Sequence, residues 1–390
     1  NETLFVFSVG RTDTLLIVVT KDSLTHHRLN LPAAALEQRI ADYRNNYLLQ
    51  REITRPKAFI RDGLALYRAL LGAVPPALVA KGRDLIIVPD GPLAALPFEA
   101  LIVDGDADQK RKTYLIEKSA VSYVPSASVL VALRDRERQK PPATAGFFAL
   151  GDPVYDFGAF SHGQPEAAIE GATRSRALAT IAWDGPLLTR LPATASEVQR
   201  ISALFNPGTS HLFMRGAARE SVVKSERLRN NRFVHFASHG LLADNFQALA
   251  LTFDPKDADD GFLELREIQG LSINAEAVVL SACETGRGRT VTGEGVVGLT
   301  HAFLFAGAPR VVVSLWSVGD ESTSDLMVEM YRRFGPPGAP RAAQALRDAK
   351  LSLVRGTSAT ASAPASAAPA AAPYAAPFFW APFVIVGAPR

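Results

Sequence analysis

The chain has 390 residues but a single cysteine, Cys283, only three methionines and three tryptophans, and a net charge of just +3. One thiol cannot form an internal disulfide, so nothing in the chain depends on an oxidising compartment, and a cytoplasmic setting is expected. One thiol also cannot build a Cys-rich zinc site. A slight excess of scattered basic residues lacks the clustered Lys/Arg footprint of a nucleic-acid binder, so no direct nucleic-acid partner is expected. No apolar run reaches the roughly 20 residues that span a bilayer, so no membrane partner is expected either, and Asn1-Glu2-Thr3 lacks the basic-then-apolar layout of a signal peptide. The missing initiating methionine leads us to expect an upstream segment.

With 47% hydrophobic residues the chain can bury a real core, either as two domains or as one large α/β unit. Residues 4–9 and 15–20 are short β-rich runs around Gly10, which predicts an antiparallel hairpin. Apolar residues at helical spacing follow over 35–49 and 60–71. Leu85-Ile86-Ile87-Val88 is an all-apolar strand stopped by the turn sequence Pro89-Asp90-Gly91. A further strand at 121–124 and a helix near 128–138 lead into the polar, then proline-rich stretch 136–145, where the domain boundary is placed. The two expected domains are therefore 1–140 and 141–390.

The second part opens with the strand 147–150. Thr194 and Glu197 have the spacing of a capping box. Buried strands follow at Phe233–Ser238, in the apolar run that starts at Ala277 and ends at Cys283, and at Val311–Leu315, with a helix from about Gly295 to Phe305 and two more around 326–334 and 342–353. Apolar strands alternating with amphipathic helices indicate a mainly parallel sheet covered on both faces. Residues 356–377, dominated by Ala, Ser, Pro and Thr, read as a low-complexity loop, after which 378–387 return to a strand-forming pattern.

Chemistry is expected where two of these strands end. One run closes at His239-Gly240, and another leads through Ser281-Ala282 to Cys283, 44 positions later (283 − 239). In open α/β sheets functional groups collect beyond the carboxyl ends of parallel strands. A thiol with an ordinary pKa of about 8.5 is mostly protonated at neutral pH, and an imidazole beside it supplies the missing deprotonation. The amides of Gly240 and Cys283 are candidate oxyanion donors. His235, inside its strand, reads as a packed, hydrogen-bonded structural histidine.

His239-Gly240 and Ser281-Ala282-Cys283-Glu284-Thr285-Gly286 resemble the His-Gly and Cys motifs of CHAT-domain proteins, relatives of caspases and separase. Further blocks resemble that family in order: Val88-Pro89-Asp90-Gly91, Leu96-Pro97-Phe98-Glu99-Ala100-Leu101, Tyr123-Val124-Pro125-Ser126, Gly293 to Leu299, Phe303 to Gly307, Ser314 to Asp320 and Phe379 to Phe383. The resemblance covers nearly the whole chain.

It implies a caspase-like α/β/α sandwich, with residues 1–140 a degenerate caspase-like lobe and 141–390 the active one. It implies a bacterial cysteine endopeptidase acting on a protein or peptide substrate, with His239 as base, Cys283 as nucleophile and no cofactor. An upstream TPR-like or sensor module is the expected regulator, acting on the loop 286–295. The competing expectation is a silent pseudoprotease that binds a partner in the same cleft. Asp320 corresponds to an acid that holds a basic P1 side chain in separase-like enzymes. The pattern Val318-Gly319-Asp320 departs from the usual acidic pair, and Asp320 equally suits the first turn of a helix, where an anion complements the dipole. Glu284, acidic beside the thiol, is expected to point away or to contact substrate.

Overall fold

Alternating burial along Glu2–Val9 (β1) and Thr14–Val19 (β2) puts Phe5, Phe7, Leu16 and Val18 into the core, and the two strands pair antiparallel as expected. The computed structural model describes residues 1–106, 108, 110–143, 145–155, 157–161, 188–243, 246–281, 294–318, 320–335, 341–358 and 372–389. Of residues 145, 158, 159, 243, 294–297 and 320 it describes the backbone alone. The expected loop 356–377 therefore falls mostly outside the described residues.

Two compact units result, one of Asn1–Arg136 with Asp325–Arg390, the other Glu137–Ser324. In the first unit β2 also pairs with Leu24–Leu29 (β3), a largely exposed strand. Helices Ala33–Tyr43 and Pro56–Leu71 follow. The apolar run at 85–88 forms Asp84–Val88 (β4), which pairs in parallel with β1. It ends in a turn where Gly91 adopts φ +54°, a conformation costly for other residues. Ile102–Asp106 (β5) and Arg111–Tyr114 (β6) form a separate antiparallel pair, and Ala120–Tyr123 (β7) pairs in parallel with β4.

In the second unit Ala145–Pro153 (β8), Ser210–Arg215 (β9), Asn231–Ala237 (β10), Ala277–Leu280 (β14) and Arg310–Ser314 (β15) are all parallel, in the order β15-β14-β10-β8-β9. Gly240–Ala243 (β11), Phe246–Ala250 (β12) and Phe262–Glu264 (β13) make a small antiparallel sheet directly after β10. From Asp325 onward the chain again belongs to the first unit, which includes the helix Ala342–Arg355 and Phe383–Gly387 (β16), a strand that pairs in parallel with β7. Residues 325–390, assigned to the second lobe on sequence, thus pack with the first unit, whereas 141–324 lie in the second. The mixed α/β architecture with a mainly parallel sheet matches the expectation.

One local expectation fails. The helix containing Thr194 and Glu197 starts at Pro192, after Leu191, so neither residue caps it. Proline lacks an amide proton and has a pre-set φ, which makes it a good first helical residue. Both side chains instead face inward, at 4% and 2% exposure.

Candidate functional site

β10 pairs with β14 so that Phe236 lies opposite Leu280, an offset of 44 (280 − 236). The ladder continues one step further, where the Ser281 amide donates to the Phe236 carbonyl at 3.0 Å. The same offset separates His239 from Cys283 in sequence. Cys283 and Glu284 themselves lie outside the described residues, as do Arg287, Arg289 and most of the loop 286–295. His239 and Gly240 are described, the first just beyond β10 and the second at the start of β11. Asp320 begins the helix Asp320–Phe334, and its side chain is not among those described.

The imidazole of His239 is buried, at 9% exposure. Its Nε2 lies 2.7 Å from the carbonyl oxygen of Thr189. A carbonyl can only accept, so Nε2 carries the proton and Nδ1 holds the lone pair, with no hydrogen bond to a described residue. Burial pushes the pKa of His239 down from its ordinary value, and the Thr189 carbonyl opposes that by favouring the cation. The ring is therefore kept neutral and oriented, which is the state a general base requires.

Tyr155 packs against this ring with centroids 5.4 Å apart. Its hydroxyl accepts from the His239 amide at 3.4 Å and donates to the Ala250 carbonyl at 3.3 Å. The Ala250 amide returns a 2.8 Å bond to the His239 carbonyl, so the residue is held through both its backbone groups. Leu241, Ala248, Ala250 and Phe262 form a small apolar core against which Tyr155 and Leu188 pack.

A second polar group lies beside the end of β14. His235 Nε2 is 2.8 Å from Glu197 Oε1 and 3.1 Å from Ser281 Oγ, with all three side chains buried. This is the packed, hydrogen-bonded role expected of His235. It ties Ser281, two residues before Cys283, to the helix Pro192–Ser202.

Sequence reading missed Thr189, Tyr155, Glu197 as a partner of His235, and Asp152. None belongs to a local motif, and each reaches its partner across 38 to 84 residues. Among the described residues no group of three or more His, Cys, Asp and Glu could hold a metal ion. No described helix is long and apolar enough to cross a membrane.

The family model of the CHAT domain matches residues 61–388. Tetratricopeptide repeat protein 28 of Homo sapiens is 27% identical over 308 residues, which is 68% of this chain and 11% of that protein. Its Mus musculus counterpart is 27% identical over 296 residues, 65% of this chain and again 11% of the relative. The chain thus spans about a tenth of the length of these relatives (11%). Two crystal structures of the Saccharomyces cerevisiae separase–securin complex share the fold, with TM-scores of 0.55 and 0.54 at 12% and 13% identity. They cover 99% and 100% of this chain, and the chain covers 30% of each matched structure.

Proposed function

Because this chain belongs to the CHAT domain family and has a separase-like fold, we propose that it is a cysteine endopeptidase acting through Cys283 and His239. The observation that carries this reading is the state of His239: a buried imidazole whose proton is committed to Thr189 on Nε2, leaving Nδ1 as the basic atom. In support, the ring follows a strand whose parallel neighbour leads, at the same offset of 44, to the only thiol in the chain.

In this mechanism Nδ1 takes the thiol proton and the thiolate attacks the scissile carbonyl carbon. The amides of Gly240 and Cys283 stabilise the oxyanion. The imidazolium gives its proton to the leaving amine as the C–N bond breaks, leaving a thioester on Cys283. Water, deprotonated by His239, then attacks the thioester and releases the carboxylate and the thiol. Asp320 and Glu284 are assigned to substrate contact, Asp320 through a basic P1 residue. Residues 1–140 serve as a degenerate, supporting lobe. A tetratricopeptide-repeat or other sensor module is the proposed regulator, in keeping with the name of the matched relatives.

Profiling the bonds cut in a peptide library tests this reading. Cleavage by the wild type and none by Cys283→Ala is expected, with a strict Arg/Lys preference supporting Asp320 and an apolar preference removing it. Equal products from both chains, or none from the wild type within its full-length protein, would reject the protease reading in favour of a pseudoprotease.

A further inference from the structure

Asp152 sits within β8 in an unusual way. Gly151 pairs with Met214 and Pro153 with Arg215, so Asp152 is an extra residue in β8, a bulge. It adopts φ +48°, and Arg215 opposite adopts φ +56°. Left-handed backbone is uncommon for residues other than glycine and is found where surrounding structure imposes it. Here it accompanies a carboxylate at 1% exposure held by two guanidinium groups. Arg190 binds it with a fork, Nε to Oδ1 at 2.9 Å and Nη2 to Oδ2 at 2.7 Å, while Arg215 Nη1 lies 3.4 Å from Oδ2.

Arg190 is the residue after Thr189. The carbonyl that orients His239 therefore shares a planar peptide unit with the Arg190 amide, so fixing Arg190 restricts how that carbonyl can turn. The same segment is held again further on. Thr194 Oγ1 accepts from the Asp152 amide at 2.7 Å and donates to the Leu191 carbonyl at 2.7 Å. Asp152 thus grips residues 190–194 through its side chain and through its backbone. A bidentate fork fixes direction as well as distance, which a single ammonium contact does not.

We infer that Asp152 and Arg190 are positioning residues, a buried carboxylate and an exposed guanidinium whose pairing aims the Thr189 carbonyl at His239 Nε2 and so fixes the ring in its Nε2-protonated form. This rests on the proposed Cys283–His239 pairing. It assigns a purpose to the bulge and to the left-handed Asp152, which strand pairing alone does not need.

The test uses the single thiol as its own reporter, so no substrate is required. Alkylation of Cys283 by chloroacetamide is timed at neutral pH in the wild type, His239→Ala, Asp152→Asn, Arg190→Ala and Arg190→Lys. Ring ¹⁵N shifts of His239 are recorded alongside. Asp152→Asn and Arg190→Ala are expected to slow alkylation about 10- to 100-fold, towards the His239→Ala rate, since small misplacements of a reacting group cost about that much. Their His239 spectra should change from one tautomer to a mixture.

Arg190→Lys keeps the charge and loses the fork, and should fall between wild type and Arg190→Ala. It also keeps the test alive if Asp152→Asn does not fold. Wild-type rates and a single tautomer in folded Arg190→Ala and Arg190→Lys, with a slow His239→Ala, would overturn the positioning role alone. A His239→Ala rate equal to wild type would overturn the pairing on which it rests.

Discussion

Each unit buries a polar network at the carboxyl ends of its parallel strands, and the two differ in what they leave available. In the first unit Lys350 donates to Glu99 at 3.0 Å, Tyr123 at the end of β7 donates to the other Glu99 oxygen at 2.5 Å, and the Phe98 amide donates to the Tyr123 hydroxyl at 2.7 Å. Burial holds the Lys350 pKa down and that of Tyr123 well up, with Glu99 opposing the first shift and adding to the second. Both Glu99 oxygens are engaged, and the three side chains are at most 5% exposed. In the second unit the His239 ring is fixed on one side, by Thr189, while its other nitrogen keeps an unshared pair. The first network has the features of a structural core, the second those of a base awaiting a proton donor.

This contrast can be broken most forcefully on the side of activity. His239→Ala should lower peptide cleavage by about 10²- to 10⁴-fold, the usual worth of a positioned general base, with little change in melting temperature. Lys350→Met should do the opposite. It leaves the Glu99 carboxylate buried without its cation, at a cost of about 3–5 kcal/mol in denaturant unfolding. At temperatures where that variant is still folded, His239-assisted alkylation of Cys283 should proceed at the wild-type rate.

Glu197→Gln is intermediate. Weakening the His235 and Ser281 network should cost about 1–3 kcal/mol of stability. It should also lower kcat more than it raises KM, because Ser281 sits two residues before the proposed nucleophile, Cys283.

The smallest effect is a titration. In Cys283→Ala, followed by NMR, His239 should titrate below the ordinary histidine value of about 6.5. A histidine whose folded pKa is depressed favours the neutral ring, so its stabilising effect is present above about pH 6.5 and lost as pH falls below it. A His239 that titrates above 6.5 would mean that the ring is not desolvated.

Much of the sheet was legible because its strands are short apolar runs bounded by turn residues, as at Leu85–Val88 and Ala277–Leu280. β3 was not, because Leu24-Thr25-His26-His27-Arg28-Leu29 is exposed and polar and so carries little burial pattern. The expected capping box failed for a local reason, since Pro192 starts the helix two residues ahead of Thr194 and turns Thr194 and Glu197 into inward-facing residues. The second unit's C-terminal limit, Ser324, was hidden too, because sequence order does not show that 325–390 return to the first unit.

At the site, His239-Gly240 was visible as a strand end. Its supports were not, because Thr189, Tyr155 and Asp152 meet it or its neighbours only through the tertiary fold. A buried carboxylate that aims a backbone carbonyl leaves no spacing to read. Its signature is the bulge and the left-handed backbone at Asp152.

The proposed mechanism depends on activation of the Cys283 thiol by the His239 imidazole. The most direct measurement is the rate of Cys283 alkylation by iodoacetamide across pH, in the wild type and in His239→Ala. With the imidazole acting on the thiol, the wild type stays reactive well below the ordinary thiol pKa of about 8.5, while His239→Ala follows a single titration near that value. Superimposable curves for the two chains would contradict it.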